Sequence, residues 1–156
     1  CSGIVHFEEF VRRWIRENKA EHATDLAEQI LQHIPYQPES TSVTTSAIDS
    51  FYAGQGVCQD HAHVFIAMCR ALQLPARYVS GYLYDQNQPH LASHAWAEVF
   101  VENEWYCFDI SNQIFTPKSH IYVAIGRDYL DVAPVRGVRE QGGIESMTSS
   151  VQVLAC

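Results

Sequence analysis

Helical periodicity fills the first half of the chain and strand alternation the second, an order that predicts an α+β fold with a largely antiparallel sheet. The helical half is marked by apolar residues three and four apart, interrupted at Pro35 and ended at Pro75. The strand half is marked by aromatic and β-branched residues in alternation from Arg77 onward.

Phe7, Phe10, Val11, Trp14 and Ile15 trace the apolar stripe of a first helix. Ala23, Leu26, Ala27, Ile30, Leu31 and Ile34 trace a second, which Pro35 stops. Pro, Ser and Thr crowd Gln37 to Ser46 as in a loop, and Ser46 offers a cap to a short helix through Phe51 that Gly54 ends. From Cys58, the positions Ala62, Phe65, Ile66, Cys69 and Leu72 share one helical face until Pro75, so this helix is expected to be central and most buried. Strands are expected at Arg77 to Tyr84, His94 to Val101, Trp105 to Ile110, Ile121 to Ile125 and Met147 to Leu154. The chain has no internal repeat.

With 156 residues, 47% hydrophobic and 18% charged, the chain fits one domain over 1–156, large enough to bury about two-thirds of the surface its unfolded form exposes. Ten basic against 18 acidic residues give a net charge of −8 with no basic run, which argues against nucleic acid as a partner. No apolar stretch reaches the ~20 residues of a membrane span, and the N-terminus lacks a signal-peptide pattern. Cys1, Cys58, Cys69, Cys107 and Cys156 are an odd set without zinc spacing, so a reducing, cytoplasmic setting is the simpler expectation. A first residue that is Cys rather than Met points to part of a longer chain or a processed lipoprotein start, which leaves secretion or lipid anchoring open. Oligomeric state is not legible.

Three residues stand where thiol chemistry needs them. Cys58 follows the turn GQGV and opens a helix, where unpaired N–H groups and the helix dipole favour a thiolate nucleophile. A free cysteine there is otherwise a small buried hydrophobe. His94 starts a strand after the polar loop Asp85 to Ser93, a place for a general base beside a cleft or for a hydrogen-bonded strand-end histidine. Asp109 ends the next strand after a short turn at Glu102, Asn103 and Glu104, so it meets His94 at one end of a hairpin. There a carboxylate can accept the second imidazole N–H and fix its tautomer. Its alternative is to cap the turn through Ser111 and Asn112.

The stretches GVCQDHAHVFIAMCRALQLPARYVSGYL and SHAWAEVFVENEWYCFDISN, with GRDYLDVAPVRG at Gly126 to Gly137, resemble the core of the transglutaminase-like superfamily of bacterial cysteine enzymes. The resemblance runs from about Tyr36 to Val153 and is closer to the bacterial group than to the animal cross-linking enzymes. It implies a papain-like fold in which a cysteine on the central helix meets a His and an Asp on neighbouring strands. Position by position it implies Cys58 in GVCQD as nucleophile, His94 in HAWAE as base and Asp109 in the FD pair as orienting acid.

Acyl transfer also needs donors for the developing oxyanion. The Cys58 N–H is one natural supplier and Gln55 a second candidate, although a Gln before a glycine turn is more often exposed. Asp60 is expected to cap the helix and compensate its dipole. His61 and His63, two apart on a helix, point about 200° apart and cannot share one ion. Without another zinc-spaced pair or an acidic loop of the calcium type, no metal and no cofactor are expected. Trp96, Trp105, Tyr82 and Tyr84 are either groove walls or core aromatics. Arg127 to Arg139 reads as a loop held by ion pairs, either bordering the cleft or apart from it.

The expected function is thiol acyl transfer on peptide or carboxamide carbonyls through an acyl-enzyme, by a cysteine protease or amidase with a peptide or protein substrate. The alternatives are a transamidating transglutaminase, a non-catalytic peptide-binding module of the same fold, and a metal-binding protein using Cys58 and the histidines.

Overall fold

The computed structural model of the chain describes residues 28–71, 73–85, 87, 92–101, 103–133, 148 and 150–153. The helix expected from Phe7 to Ile15, and the start of the next, lie outside these residues. The described part of that next helix is helical over 28–33 and stops before Pro35, with Ile30 and Ile34 buried. Ser46 caps α1 (Ala47–Ala53) by accepting the Asp49 N–H, and Gly54, at a left-handed φ of 64°, closes the last turn onto the Ser50 carbonyl.

α2 (Cys58–Ala71) buries Ala62, Phe65, Ile66 and Cys69 of the expected face and Val64 besides, while Leu72 lies outside the described residues. Its far end closes with paired bonds, Gln73 N–H to the Arg70 carbonyl and Leu74 N–H to the Cys69 carbonyl, both at 2.9 Å. Gln73, at φ 62°, takes the left-handed position that glycine usually fills in this motif.

Four antiparallel strands follow: β1 (Ala76–Leu83), β2 (Ser93–Val101), β3 (Glu104–Phe108) and β4 (His120–Gly126), in spatial order β3-β2-β1-β4. Alternation along the strands turns Tyr78, Ala95, Ala97, Val99 and Phe108 into one core with the buried face of α2. On the other face Val79, Trp96 and Cys107 form a smaller cluster. Glu98 is also buried, and it is satisfied by Arg77 Nε at 2.6 Å and the Tyr122 hydroxyl at 2.8 Å. A bulge between Ser80 and Gly81 shifts the β1–β4 register, and a Cβ at Gly81 would overlap the Ile121 carbonyl oxygen. Only glycine lets the two strands approach so closely there.

Three expectations need correction. β3 ends at Phe108 because Asp109 leaves the ladder for a tight turn, exchanging backbone bonds with Ile114 at 2.9 and 3.0 Å. The segment after β4 is not all loop: Asp128 caps the helical turn α3 (Tyr129–Val132) by accepting the Leu130 and Asp131 N–H groups. The ion pair expected there is present, Arg127 Nε to Asp131 Oδ2 at 2.8 Å. The strand expected over Met147 to Leu154 is absent from the described residues 148 and 150–153, where Gln152 forms a lone bridge. Branched residues favour extended backbone, but the pattern alone supplies no pairing partner.

Candidate active site

The turn before α2 is held from outside the helix. Gln37 N–H donates to the Gly56 carbonyl at 2.8 Å and Gly56 N–H to the Pro35 carbonyl at 3.2 Å. Asp60 is fully buried, accepts the Thr41 hydroxyl and reaches back to the Val57 N–H at 2.8 Å, the side-chain half of a capping box. A Cβ at Gly56 would come within 2.8 Å of the Asp60 Cβ, so the cap needs glycine at that position. Asp60 thus has the capping geometry that its place near the helix start predicts. Cys58 is left half-buried as the first residue of α2, on a cleft of about 320 Å³ that Tyr78, Tyr82, His94, Val123 and Tyr129 also line.

β2 begins one residue before His94 and β3 ends one residue before Asp109. Their register, from Val101 opposite Glu104 to Ala97 opposite Phe108, carries both residues to the same end of the hairpin. His94 Nε2 lies 2.8 Å from Asp109 Oδ2. A carboxylate only accepts, so this nitrogen carries the proton. Cys58 lines the same cleft and acts on the ring, and with Nε2 bound to Asp109 the nitrogen left for the thiol is Nδ1. Burial disfavours the imidazolium, but the hydrogen bonds and charges of Asp109 and Cys58 outweigh it and raise His94 to about 9. At Asp109, burial alone would favour the neutral acid. The hydrogen bond and charge of His94, with donors from Asn112 and His120, hold the carboxyl below the usual range instead.

Cys58, His94 and Asp109 are therefore brought together in the order thiol, imidazole, carboxylate. Gln55 is not brought with them: it is exposed on the turn and does not line the cleft. The loop expected to lead into His94, from Asp85 to Ser93, falls largely outside the described residues.

Two neighbours of Asp109 have roles that sequence reasoning missed. Asn112 Nδ2 donates to Oδ2 at 3.0 Å, and its backbone N–H approaches Oδ1 at 3.3 Å. The backbone contact is the turn cap expected of a strand-end Asp, and the side-chain bond is what the sequence does not mark. His120, the first residue of β4, presents Nε2 to the same Oδ2 at 3.0 Å, and its side chain is fully buried. No spacing in the sequence reveals it, because it is the pairing of β4 with β1, His120 opposite Leu83, that carries it there.

The same feature brings together a candidate ligand set that residue spacing in the sequence does not show. His94, Asp109 and His120 offer atoms within 4.8 Å of one another, a two-imidazole, one-carboxylate set that could hold a divalent ion. The convergence comes from strand ends, where residue spacing is no guide. His61 and His63 do diverge, as helical geometry requires. His61 is fully buried, donating from Nε2 to the Ile34 carbonyl at 2.8 Å and accepting the Ser111 hydroxyl at Nδ1 at 2.7 Å. It ties the helix to the turn that holds Asp109. His63 Nε2 accepts the Tyr129 N–H at 3.2 Å. Burial lowers the pKa of both rings.

Among the four aromatics, Trp96 is core and Tyr82 lines the cleft. Trp105 is 41% exposed beneath the Arg77 guanidinium, 3.9 Å from its ring centroid. Tyr84 lies outside the cleft lining, whereas Tyr129, Asp131 and Val132 of α3 form part of the cleft wall.

A family model described as the Transglutaminase-like superfamily matches residues 9–110. An uncharacterized protein of Mycobacterium leprae is 33% identical over 126 residues, covering 77% of this chain and 45% of the relative. One from Mycobacterium tuberculosis is 39% identical over 126 residues, covering 73% and 40%. The chain thus spans less than half the length of these curated relatives. Among solved structures, a candidate cysteine protease from Cytophaga hutchinsonii is similar at a TM-score of 0.64 and 35% identity, over 72% of this chain and 38% of that one. Calcium-bound LapG of Legionella pneumophila is similar in fold, with a TM-score of 0.52 and 15% identity over 83% and 79% of the two chains.

Proposed function

The chain belongs to the transglutaminase-like superfamily, and from that premise we propose that it is a thiol acyl-transfer enzyme, a cysteine protease or amidase acting on peptide or carboxamide carbonyls. The observation that carries this reading is that Cys58 and His94 line one cleft and His94 is hydrogen-bonded behind it to the buried Asp109.

In the proposed cycle the Cys58 thiol gives its proton to His94 Nδ1, and Sγ attacks the carbonyl carbon while the π pair moves onto oxygen. The tetrahedral oxyanion then collapses, the C–N bond breaks, and His94 returns the proton to the departing amine, leaving a thioester on Cys58. Water attacks the thioester with His94 as base, which releases the acid and restores the thiol. Asp109 holds the imidazole tautomer and stabilises the imidazolium throughout. The backbone N–H of Cys58 has no intrahelical acceptor at the first helical position and serves as the oxyanion donor. Gln55 would have to swing in from its exposed turn to assist. Tyr78, Tyr82, Val123, Tyr129 and Val132 give the cleft apolar and aromatic walls suited to side chains flanking the scissile bond.

Hydrolysis is favoured over transamidation because an open acyl-enzyme meets water at overwhelming concentration unless a dry channel admits an amine. The test is mass spectrometry of Cys58 after incubation with a peptide library, followed by partition of product between free acid and amine conjugate. A trapped acyl group on Cys58 with mainly acid product is expected. Predominant conjugate at millimolar amine would make the enzyme a transamidase, and turnover retained in Cys58→Ala would overturn the reading altogether.

A further inference from the structure

We propose that His120 is a positioning residue of this site, a second imidazole that anchors the Asp109 carboxylate and divides its Oδ2 between two rings. The inference rests on the thiol acyl-transfer reading and adds a side chain to it. His94 Nε2, His120 Nε2 and Asn112 Nδ2 lie 2.8, 3.0 and 3.0 Å from that single oxygen. Since a carboxylate only accepts, each imidazole Nε2 carries a proton and donates it.

The chemistry of His120 separates this role from simple filling. Its side chain is fully buried, and its Nδ1 has no hydrogen-bond partner among the described residues. Burying a ring with one nitrogen unsatisfied is costly, so a position that only needed filling is better served by an apolar ring such as Phe. What the imidazole gains for that cost is the bond to Asp109. The ring is also fixed in orientation: Trp96 meets it edge-on at 4.7 Å between centroids and stacks on His94 at 5.8 Å, so one indole backs both imidazoles. Because His120 sits in the β1–β4 ladder, its position is set by the sheet rather than by a loop.

A donor on Oδ2 draws off part of the negative charge that would otherwise act on His94. Removing it leaves His94 facing a more basic carboxylate, which holds the imidazolium more tightly and slows return of the proton to the leaving group. Among the described residues, the other groups facing this centre are Cys58 and His61 on α2, Cys107 on β3 and Asn112 in the turn, and none of them replaces the lost donor.

The experiment compares His120→Phe, which keeps the ring without the donor, with His120→Gln, whose amide nitrogen reaches the same place. Long-range ¹H–¹⁵N spectra would follow the His94 ring through its titration, alongside turnover. In the Phe variant the His94 midpoint should rise by about half a pH unit and kcat should fall roughly tenfold at little change in KM. Gln should recover most of both. An unmoved His94 midpoint in His120→Phe, or equal behaviour of Phe and Gln, would overturn the proposal. If the Phe variant does not fold, His120→Met against His120→Gln reads the same contrast. The ring titration needs no turnover, so it reports on His120 even if Cys58→Ala were to show that the acyl-transfer reading is wrong.

Discussion

Asp109 Oδ2 lies 2.8 Å from His94 Nε2 although the Asp109 side chain is completely buried. A carboxylate without water keeps its charge only if donors replace hydration. Here two imidazoles and the Asn112 amide do so around one oxygen. That arrangement governs how the site should respond to substitution, pH and metals.

Cys58 should be the selectively reactive thiol among the described cysteines. Burial pushes Cys69 and Cys107 up to about 12, which leaves roughly one part in 10⁵ as thiolate near pH 7. Peptide-resolved alkylation by iodoacetamide at about neutral pH should modify Cys58 at least ~100-fold faster than either. Faster reaction at Cys69 or Cys107 would remove Cys58 from its proposed role.

His94→Ala should abolish turnover, and Asp109→Asn should lower it roughly 10³-fold, because the base is lost in one case and only its orientation and charge partner in the other. Both changes should also lower stability. Asn at position 109 turns an amide group toward donors from His120 and Asn112, costing about 1–3 kcal/mol, and His94→Ala takes the nearest donor from the buried carboxylate while leaving the other two in place. Chemical denaturation read beside kinetics tests both; normal turnover in His94→Ala would exclude it as the base.

Stability should peak near neutral pH. The pKa of His94 is raised to about 9 in the folded state, so its contribution is full below the unfolded value of about 6.5 and is lost as pH rises toward 9. The size of that loss is on the order of 3 kcal/mol. His61 and His63 are shifted down by burial, so the unfolded chain takes up their protons first and stability falls as pH drops below about 6.5. Asp109, also shifted down, adds a further loss below about pH 4. Denaturation midpoints across pH should show alkaline loss in the wild type and much less in His94→Gln; equal alkaline loss in both would assign it to another group.

Gly81→Ala should destabilise the domain by about 3 kcal/mol or more, since the added Cβ overlaps backbone of β4 and cannot be relieved by a rotamer change. Because His120 hangs on that same pairing, the His94 ring signals should shift as well. A variant with unchanged stability and spectra would show that the bulge tolerates a side chain.

Activity should survive dialysis against a chelator, because the proposed nucleophile is a thiol and the atoms of the His94, Asp109 and His120 cluster are already hydrogen-bonded to one another. Restoration of a lost rate by zinc or calcium alone would instead assign that cluster to a metal.

Much of this architecture was legible because it is encoded locally. Ser46 and Gly54 mark the ends of α1, Pro75 ends the run of α2, and strand alternation locates β1, β2 and β4 to within about one residue. Asp60 could be read as a cap because its partner, Val57, is three residues away. Cys58, His94 and Asp109 stood out because each occupies an element end within a family pattern. The legible part stops where partners are distant in the chain and no local signal marks them.

The amino-acid order by itself determined the helix and strand periods, the element ends and the family, since each depends on residues within a few positions of one another or on a contiguous motif. Tertiary structure alone decided that His120 shares Asp109 with His94, that Gln55 stays outside the cleft, and that His61 braces Ile34 against Ser111. The reason is physical: a hydrogen bond between strand ends depends on sheet order and register, and these are set by the burial of α2 against the whole sheet rather than by any one segment.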